Sequence, residues 1–511
     1  MIVDLRDIDS DPFRDKTFDV CICGAGVAGI TIARRLPKHL NVALLEAGGL
    51  VYTDESQAVY QGTSIGQDYF NLTATRLRFF GGTSNHWEGW CRPLDAYDFL
   101  SHEHVERSGW PIRHRDLEPY LTEAKSILNI PNEPTGRNAN VGGEPQMLLA
   151  GFKEVEYWWS PPIRFGTKYG AEIESMAHVI CYLNANVTDI TLFENKSAVQ
   201  QVQVRDYMGR TFNVKARQFV LAAGGIENPR ILLNCNRQVS VGLGNDHGLV
   251  GRFFTEHPHY WGGGLMLEDR VKNELLTFRG RKHKQYDIWK IFGPTPKFMQ
   301  REKVLSFNIR LELDKPRFLR PFRERIQELV CTTTWGERLA ERMRGRDIDC
   351  RLEDGKLRIV SEQTPNPDSR VMLGSDTDRF AMKRVVLDWR LSEIDKHTLR
   401  RAVIRFGQMF AERAWGRVRV EDWLLEDNIE LPRLNMRLGN PGHHHMCTTR
   451  MGSTARQGVV DANQRVFGIS NLYVAGSSVF ATGGSVSPTL TIVQTCLRLA
   501  DHLPARLKTP P

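Results

Sequence analysis

The sequence predicts an α/β fold, α+β overall, in which two separated stretches build one sheet layer and a largely antiparallel sheet lies between them. Apolar runs near both ends of the chain lead into glycines and then into helical periodicity, whereas residues 260–430 mix short strand-like runs with helical stretches. The length of 511 residues exceeds what one hydrophobic core sustains. We therefore expect a first domain part at 1–260, an inserted domain at 261–430 and a second part of the first domain at 431–511.

A glycine motif near the start of the chain defines the first element. The run CGAGVAG follows an apolar, strand-like stretch and opens a helical pattern that stops at Pro37. Gly24 suits a tight turn, Gly26 lets a pyrophosphate approach the backbone, and Gly29 lets the helix pack close to the strand. Glu46 ends the next apolar run, where a carboxylate can accept hydrogen bonds from ribose hydroxyls. The pattern predicts a dinucleotide site, equally open to NAD and FAD. The alternative is a glycine turn in an ordinary α/β unit.

Later stretches supply the remaining elements. Residues 78–90 (RFFGGTSNHWEGW) are dense in glycine and aromatic residues, have no regular period, and are typical of a binding loop. Near the end of the chain, Pro488 suits the first turn of a helix and Ser487 suits its N-cap. The sequence predicts helices at 115–130, 396–410 and 487–503, a break at 158–162, loops and short helices at 51–77, and strands at 179–183, 199–204, 212–214, 219–223, 261–267, 357–361, 371–374, 385–387 and 471–475.

Composition excludes several classes of protein. No apolar run reaches the ~18 residues that a membrane helix needs, and residues 1–16 contain no apolar signal core, so we expect a cytoplasmic protein without an integral membrane segment. The 9 cysteines are scattered and form no CxxC pairs, which argues against a zinc or disulfide framework. The net charge of +8 is concentrated at 315–346, where glutamates interrupt the arginines. We interpret that stretch as a solvated helical face rather than a nucleic-acid site.

Four stretches together carry a family resemblance: CGAGVAG…EAGG, RFFGGTSNHWEGW, FVLAAGGIENPR, and HHHMCTTRMG…NLYVAGSSVF…SPTLT. In this order and spacing the chain resembles the glucose–methanol–choline (GMC) oxidoreductases over nearly its whole length, and GGTSNHW is most similar to the pyranose oxidase-like branch and its bacterial relatives. The resemblance implies a Rossmann-like FAD-binding domain, FAD rather than NAD, and oxidation of an alcohol by hydride transfer to flavin N5. It places the cofactor at Gly24, Gly26, Gly29, Glu46, Gly81, Gly82, Ser84, His86, Val187, Ala223, Gly476, Ser477 and Thr489.

Alcohol oxidation needs a base for the hydroxyl proton, and histidine suits this role near neutral pH. The run at 443–445 offers three candidates, and the family pattern matches the base to His444. If the run is a strand, His443 and His445 point away from His444. Three consecutive histidines do not easily converge on one ion, so we expect no metal site.

Four positions depart from the family or carry a specific hypothesis. Ser487 stands where the family usually has Asn or His, and its hydroxyl can still bond a substrate oxygen over a shorter reach. Glu88 is a candidate to compensate for the shorter reach of Ser487. A carboxylate of Glu88 that is only salt-bridged or solvated is an equal alternative. Cys447 replaces a common Gly, with no role that we can assign. His86 matches the histidine that in pyranose oxidase is bonded to the flavin. For His86 the alternatives are a covalent bond to the flavin and packing against the flavin without a bond.

The resemblance and the aromatic residues around the flavin loop favour a sugar, glycoside or polyol as substrate. A GMC oxidoreductase acting on an apolar alcohol, such as a sterol or natural-product intermediate, is the second candidate. A flavin-binding protein with little turnover is the third, because Ser487 breaks the usual catalytic pair. The electron acceptor stays open between oxygen, a quinone and a redox protein.

Overall fold

The computed structural model describes residues 1–132, 151–161, 163–268, 271, 281–283, 286–313, 353–433 and 442–507. The basic stretch at 315–346 lies outside these residues. The strands are β1 (Ile2–Asp4), β2 (Thr17–Cys23), β3 (Val42–Leu45), β4 (Gly62–Gly66), β5 (Trp90–Cys91), β6 (Phe152–Trp159), β7 (Val179–Leu183), β8 (Asn186–Leu192), β9 (Val199–Arg205), β10 (Thr211–Leu221), β11 (His259–Leu267), β12 (Arg281–His283), β13 (Tyr286–Pro294), β14 (Phe307–Leu313), β15 (Gly355–Ser361), β16 (Arg370–Thr377), β17 (Lys383–Trp389), β18 (Gly416–Val420) and β19 (Leu472–Val474). The helices are α1 (Val27–Arg35), α2 (Asp54–Gln57), α3 (Leu121–Ile127), α4 (Phe165–Ser175), α5 (Gly224–Asn234), α6 (Pro296–Glu302), α7 (Glu393–Glu412) and α8 (Thr489–Leu507).

The first sheet joins the two ends of the chain. Its parallel strands run in the order β1-β7-β3-β2-β10, and β19 adds to the other side of β10. The strand β10 is one continuous element, where the sequence predicted two separate runs. Its first part alternates exposed and buried residues and pairs antiparallel with β9, whereas its last four residues are all buried and pair parallel with β2. The change of pattern follows from burial, because a parallel sheet is covered on both faces.

Helices α1 and α8 cover one face of this sheet. Their apolar side chains share one core with β2, β3 and β7, and Ile30 of α1 and Val493 of α8 are fully buried in it. The helix α8 comes from the last part of the chain, so its burial locks the C-terminal segment onto the N-terminal unit. The mixed α/β class that the sequence predicted is confirmed.

The second sheet is antiparallel, in the order β18-β11-β15-β14-β13-β6-β5, with β12 paired to β13. Its apolar face packs on α7, where Phe406 is fully buried, and the strand-like runs predicted for β11 and β15 are part of it. Two of its strands, β5 and β6, precede residue 261 in the chain. The predicted break at 158–162 is wrong by two residues, since Trp158 and Trp159 still belong to β6.

A small third sheet, β16-β17-β4, packs against α5. The strand β4 lies in a stretch that the sequence predicted as loops and short helices, and it pairs parallel with β17 over Gly62–Gly66. Across the described ranges, no helix is both long and apolar enough to span a bilayer.

Candidate active site

A cavity of about 630 Å³ runs between the parallel sheet and the antiparallel sheet. The glycine turn after β2 and the start of α5 line one end. The loop 442–445, the segment before α8 and the polar face of β14 and β15 line the other. The cavity therefore joins the predicted nucleotide motif to the predicted catalytic histidines.

Close backbone contacts explain the glycines that begin this cavity. Gly24 has φ +117°, and a Cβ there would lie 2.6 Å from the Ala222 carbonyl oxygen. A Cβ on Gly29 would lie 1.8 Å from the carbonyl oxygen of Gly24. The turn and the start of α1 thus close on each other at a distance that a larger residue does not allow.

Other glycines leave an open cradle in the cavity wall. A Cβ on Gly26 would meet nothing closer than the Gly82 Cα at 4.0 Å, and one on Gly224 would meet nothing within 4 Å. A Cβ at Gly476 would find only the Ala28 Cβ at 3.9 Å. Side chains at these positions would project into space that the chain leaves unfilled. The cradle, the amides at the start of α1 and the length of the cavity fit an extended dinucleotide such as FAD.

Glu46 lies at the end of β3 and is buried in this wall. Its carboxylate accepts backbone N–H bonds from Ala25 at 3.0 Å and from Gly48 at 2.9 Å. Burial raises the pKa of Glu46 above the ordinary value, and the two amide donors act in the opposite direction. The carboxylate therefore holds the glycine turn against β3 while it faces the cavity.

The helix α8 points its N-terminus at the far part of the cavity. It begins at Thr489, one residue later than predicted, and the Pro488 carbonyl accepts the Ile492 N–H at 2.9 Å. Ser487, Pro488 and Thr489 all line the cavity. The positive end of the helix dipole therefore faces the site.

The histidine run at 443–445 is not a strand. His443 has φ +55°, in the left-handed region, and the residue after the run, Met446, makes only an isolated antiparallel bridge with Thr255. The alternation expected for a strand is therefore wrong, and His443, His444 and His445 all line the cavity. Burial lowers the pKa of each ring, for His443 to about 4.

A second histidine contacts the predicted base. His257, fully buried just before β11, places its Nδ1 atom 2.7 Å from Nδ1 of His444 and its Nε2 atom 2.8 Å from the carbonyl oxygen of Gly484. The carbonyl can only accept, so Nε2 of His257 carries the hydrogen. Burial lowers the pKa of His257 to about 4, so its neutral ring accepts at Nδ1. His444 must then donate from its own Nδ1.

This geometry fixes the tautomer of His444. Its proton lies on Nδ1, so its Nε2 atom carries a lone pair. Within the part of the chain that the structure describes, no group hydrogen-bonds this Nε2 atom, and the residue faces the cavity. A neutral imidazole with a free lone pair at a cavity wall is competent to accept a proton.

A buried carboxylate supports both rings from behind. Glu256 accepts the backbone N–H groups of His257 and His444, each at 2.8 Å, and the Tyr69 hydroxyl at 2.7 Å. Because Tyr69 donates to Glu256, its oxygen accepts from Nε2 of His445 at 2.9 Å. Burial raises the pKa of Glu256 to about 7.

The loop after Gly82 brings two further predicted residues to the cavity. His86 and Glu88 are exposed to it, and Arg164 fixes the loop by donating to the carbonyls of Ser84 at 3.1 Å and Trp87 at 2.9 Å. Burial and the positive charge of Arg164 lower the pKa of His86. The ring is therefore neutral at pH 7.

Comparison with known proteins shows which family this chain is similar to. The GMC oxidoreductase family model matches residues 365–495. A 2-methyl-1,2-propanediol dehydrogenase of Mycolicibacterium austroafricanum is 22% identical over 96% of this chain and 96% of that protein. The fructose dehydrogenase large subunit of Gluconobacter japonicus is 24% identical over 96% and 98%. These matches make the chain similar to the GMC oxidoreductases over most of its length. The pyridoxine 4-oxidase structure from Mesorbium loti has the same fold, with a TM-score of 0.58 and 17% identity over 95% of this chain and 99% of that one.

The similarity to GMC oxidoreductases implies FAD, and the cradle described above fits that group. The structure brings most of the predicted site residues to one cavity. The predicted residues that line it are Gly24, Gly26, Glu46, Gly82, Ser84, His86, Glu88, Val187, Ala223, His444, Gly476, Ser477, Ser487 and Thr489. Gly29 and Gly81 lie behind the wall, and the Gly81 N–H donates to the Ala25 carbonyl at 2.9 Å.

Sequence reasoning missed Glu256, His257 and His259. A signal was present, because an acid and two histidines (EHPH) interrupt a stretch that begins with Phe253 and Phe254. Charged and titratable residues inside an apolar run are expected only where a partner or a site accounts for them.

Proposed function

We propose that this protein is an FAD-dependent oxidoreductase that oxidises an alcohol to a carbonyl compound, with His444 as the general base. The observation that carries the proposal is the fixed tautomer of His444, whose free Nε2 lone pair faces the cavity. FAD, when bound, supplies the acceptor for the hydride that leaves the carbinol carbon. The glycine cradle, Glu46 and the start of α8 are the parts of the chain proposed to hold that cofactor.

In this proposal the substrate hydroxyl donates its proton to Nε2 of His444. The ring then becomes an imidazolium whose Nδ1–H remains bonded to the neutral His257. The nearby Glu256 carboxylate favours that positive charge across a buried, low-dielectric region. Because burial lowers the pKa of His444, the ring is neutral at pH 7 and well below, so kcat/KM is expected to fall only at acidic pH.

Ser487 and Glu88 are the proposed partners of this base. Both line the cavity, Ser487 directly before α8 and Glu88 on the loop opposite. The hydroxyl of Ser487 can bond the substrate oxygen while His444 takes the proton. The shorter reach of serine, compared with the Asn or His usual in the family, leaves room for a bulkier substrate or a water.

The cavity wall beyond His444 favours a polar substrate. Asn308, Arg310 and Arg358 line it, and Tyr157 adds a hydroxyl that donates to the Ser485 carbonyl at 3.1 Å. An apolar alcohol would desolvate these groups without bonding them. A sugar, glycoside or other polyol supplies the hydroxyls that they require.

A turnover assay with an artificial electron acceptor tests the proposal. FAD-loaded protein is expected to turn over sugars or polyols faster than sterols of equal concentration. Preferential turnover of sterols would instead support the apolar-alcohol alternative. Turnover of none of these alcohols by protein that holds its FAD would support a flavin-binding protein with little activity. Parallel assays with oxygen, a quinone and a redox protein identify the acceptor.

We further propose that residues 1–260 and 431–511 together form the FAD-binding domain and that 261–430 form the substrate-binding part. Strands from both of the outer segments in one parallel sheet support the first statement. A location in the cytoplasm remains a prediction from the sequence.

Replacing His257 with Phe is expected to lower kcat about 10- to 100-fold, because His444 loses the acceptor that fixes its tautomer. His257→Asn, which retains an acceptor, is expected to recover part of the loss. The readout independent of activity is nitrogen-15 NMR of histidine-labelled protein. The His444 ring should change from one tautomer, with hydrogen on Nδ1, to a mixture. An unchanged tautomer in His257→Phe would contradict the assignment.

We propose that His86 bonds covalently to FAD, supported by its neutral ring at the cavity wall. After acid precipitation, the pellet of wild-type protein is expected to keep the flavin colour and the protein mass to include one FAD. His86→Ala is expected to release all flavin into the supernatant. Flavin in the wild-type supernatant would establish packing without a bond, which is the alternative.

A further inference from the structure

Two arginines face each other across neighbouring strands at the substrate end of the cavity. Arg310 on β14 stands directly opposite Arg358 on β15 in the antiparallel ladder. The residues that alternate with them, such as Ile309 and Ile359, are fully buried on the other face. Like charges directly opposite on a sheet destabilise it. The pair therefore calls for a partner of opposite charge on the cavity side.

Within the described residues, two carboxylates contribute negative charge to this pair. Glu312 accepts from Arg310 and lies 3.8 Å from Arg358, so two guanidinium groups share it. Glu88 is the other carboxylate whose charge favours protonated Arg358, and it is exposed at the loop opposite. Burial and the neighbouring Arg310 outweigh these two carboxylates and lower the pKa of Arg358.

One donor of the pair has no protein partner. The Nε atom of Arg310 is buried and has no hydrogen-bond partner within the described residues. Its guanidinium carbon lies 5.0 Å from the centre of the Trp90 ring, so an aromatic surface lies beside the group. Arg358 donates to Nδ1 of His259 at 3.2 Å. An arginine beside an aromatic ring, with an unpaired N–H, is suited to a planar anion.

The pair lies close to the proposed base. The ring of His259 is 6.2 Å from the ring of His444, centre to centre, and His259 in turn contacts Arg358. One imidazole therefore separates the base from the guanidinium. A substrate of sugar size can place a hydroxyl at His444 and an anionic group at the arginines at the same time.

We propose that Arg310 and Arg358 form a carboxylate-binding subsite and that the substrate is an alcohol that also carries a carboxylate, such as a sugar acid or another polyhydroxy acid. This proposal rests on the proposed function for the identity of the reacting group. Glu312 is shared by both guanidiniums and the exposed Glu88 adds a second negative charge opposite, so the subsite matches a carboxylate monoanion better than a phosphate dianion. Trp90, which lines the cavity and packs on Trp289, would contact the carbon frame next to the carboxylate.

Binding of three ring compounds tests the subsite without turnover. Titration calorimetry of the FAD-loaded full chain is carried out with benzoate, benzamide and benzylamine, which differ in charge on one frame. Benzoate is expected to bind about 10- to 100-fold more tightly than benzamide, and benzylamine more weakly than both. Benzoate binding that is equal to or weaker than that of benzamide, including no measurable binding of either, would overturn the subsite.

Variants locate the binding. Arg310→Gln and Arg358→Gln are each expected to weaken benzoate at least about tenfold and to leave benzamide unchanged. Lys356→Gln, on the same strand as Arg358 but outside the cavity wall, is the matched control and is expected to bind benzoate as the wild type does. FAD content and thermal unfolding confirm that each variant is folded. Unchanged benzoate affinity in both arginine variants would place the anion elsewhere and overturn the assignment.

Two further measurements distinguish a failure of this inference from a failure of the proposed function. His444→Ala is expected to retain benzoate affinity while losing activity. Carboxylate binding without alcohol oxidation would leave the subsite standing and remove the proposed reaction. Oxidation of neutral sugars with kcat/KM equal to that of their carboxylate counterparts would remove the subsite and leave the reaction.

Discussion

His444→Ala is expected to lower the rate of alcohol-driven flavin reduction by about 10²- to 10⁴-fold, the usual contribution of a positioned general base. The variant removes the one cavity-facing lone pair that the His257 contact fixes in place. Stopped-flow absorbance under anaerobic conditions measures the rate directly. FAD content should not change, because the cradle glycines and Glu46 lie at the other end of the cavity.

A surface substitution provides the control for this experiment. His39 is exposed and distant from the cavity wall, so His39→Ala is expected to reduce at the wild-type rate. A normal reduction rate in His444→Ala would remove the base from the mechanism. In that case Ser487 or a water would have to take the hydroxyl proton.

Gly29→Ala is expected to cost at least about 3 kcal/mol of stability and to abolish FAD binding. The added Cβ would lie 1.8 Å from the carbonyl oxygen of Gly24, so α1 must move away from the glycine turn. Thermal unfolding and the FAD-to-protein ratio measure the two effects. Alanine is the better helix former, so any loss comes from the clash rather than from helix propensity.

Gly170→Ala in α4 is the matched control. It is also a glycine within a helix, but its Cβ would meet only the Phe80 ring, at 3.7 Å. This variant is expected to keep its FAD and to unfold at the wild-type temperature or slightly above. If Gly29→Ala were as stable as Gly170→Ala and kept its FAD, the close approach of α1 and the turn would not be needed for the cofactor site.

The parts of the fold that the sequence predicted are those set by local chemistry. The glycine turn can be predicted from sequence because Gly29 meets the backbone of Gly24 within the same short unit. The helix α7 can be predicted from sequence because its apolar residues repeat with the helical period over 20 residues. In each case the deciding contacts lie within one element or between neighbours in sequence.

The missed elements depend on partners far away in the chain. The strand β4 is largely polar and exposed, and it is a strand because β17 pairs with it more than 300 residues later. The strands β5 and β6 join a sheet whose other members come from residues 259–420. No local pattern specifies such pairing, because strand preference depends on the neighbouring strand.

Sequence motifs predicted part of the candidate site, but not Glu256, His257 and His259 and not the arrangement of the residues. His444 followed from a motif, whereas its contact with His257 spans 187 residues of sequence and has no local signature. The sequence also did not predict the left-handed backbone conformation at two positions. His443 at φ +55° breaks the expected alternation of side chains, and Cys447 at φ +68° adopts a conformation that favours the glycine usual in the family.

Anaerobic reduction of the FAD-loaded protein by a panel of sugars, polyols and polyhydroxy acids tests the central claim most directly. The account predicts that at least one of them bleaches the flavin and yields one carbonyl product per flavin reduced. Deuterium on the carbinol carbon should slow that step, because hydride leaves from this carbon. A flavin that stays oxidised with every alcohol in the panel, in protein that holds its cofactor, would contradict the proposed reaction.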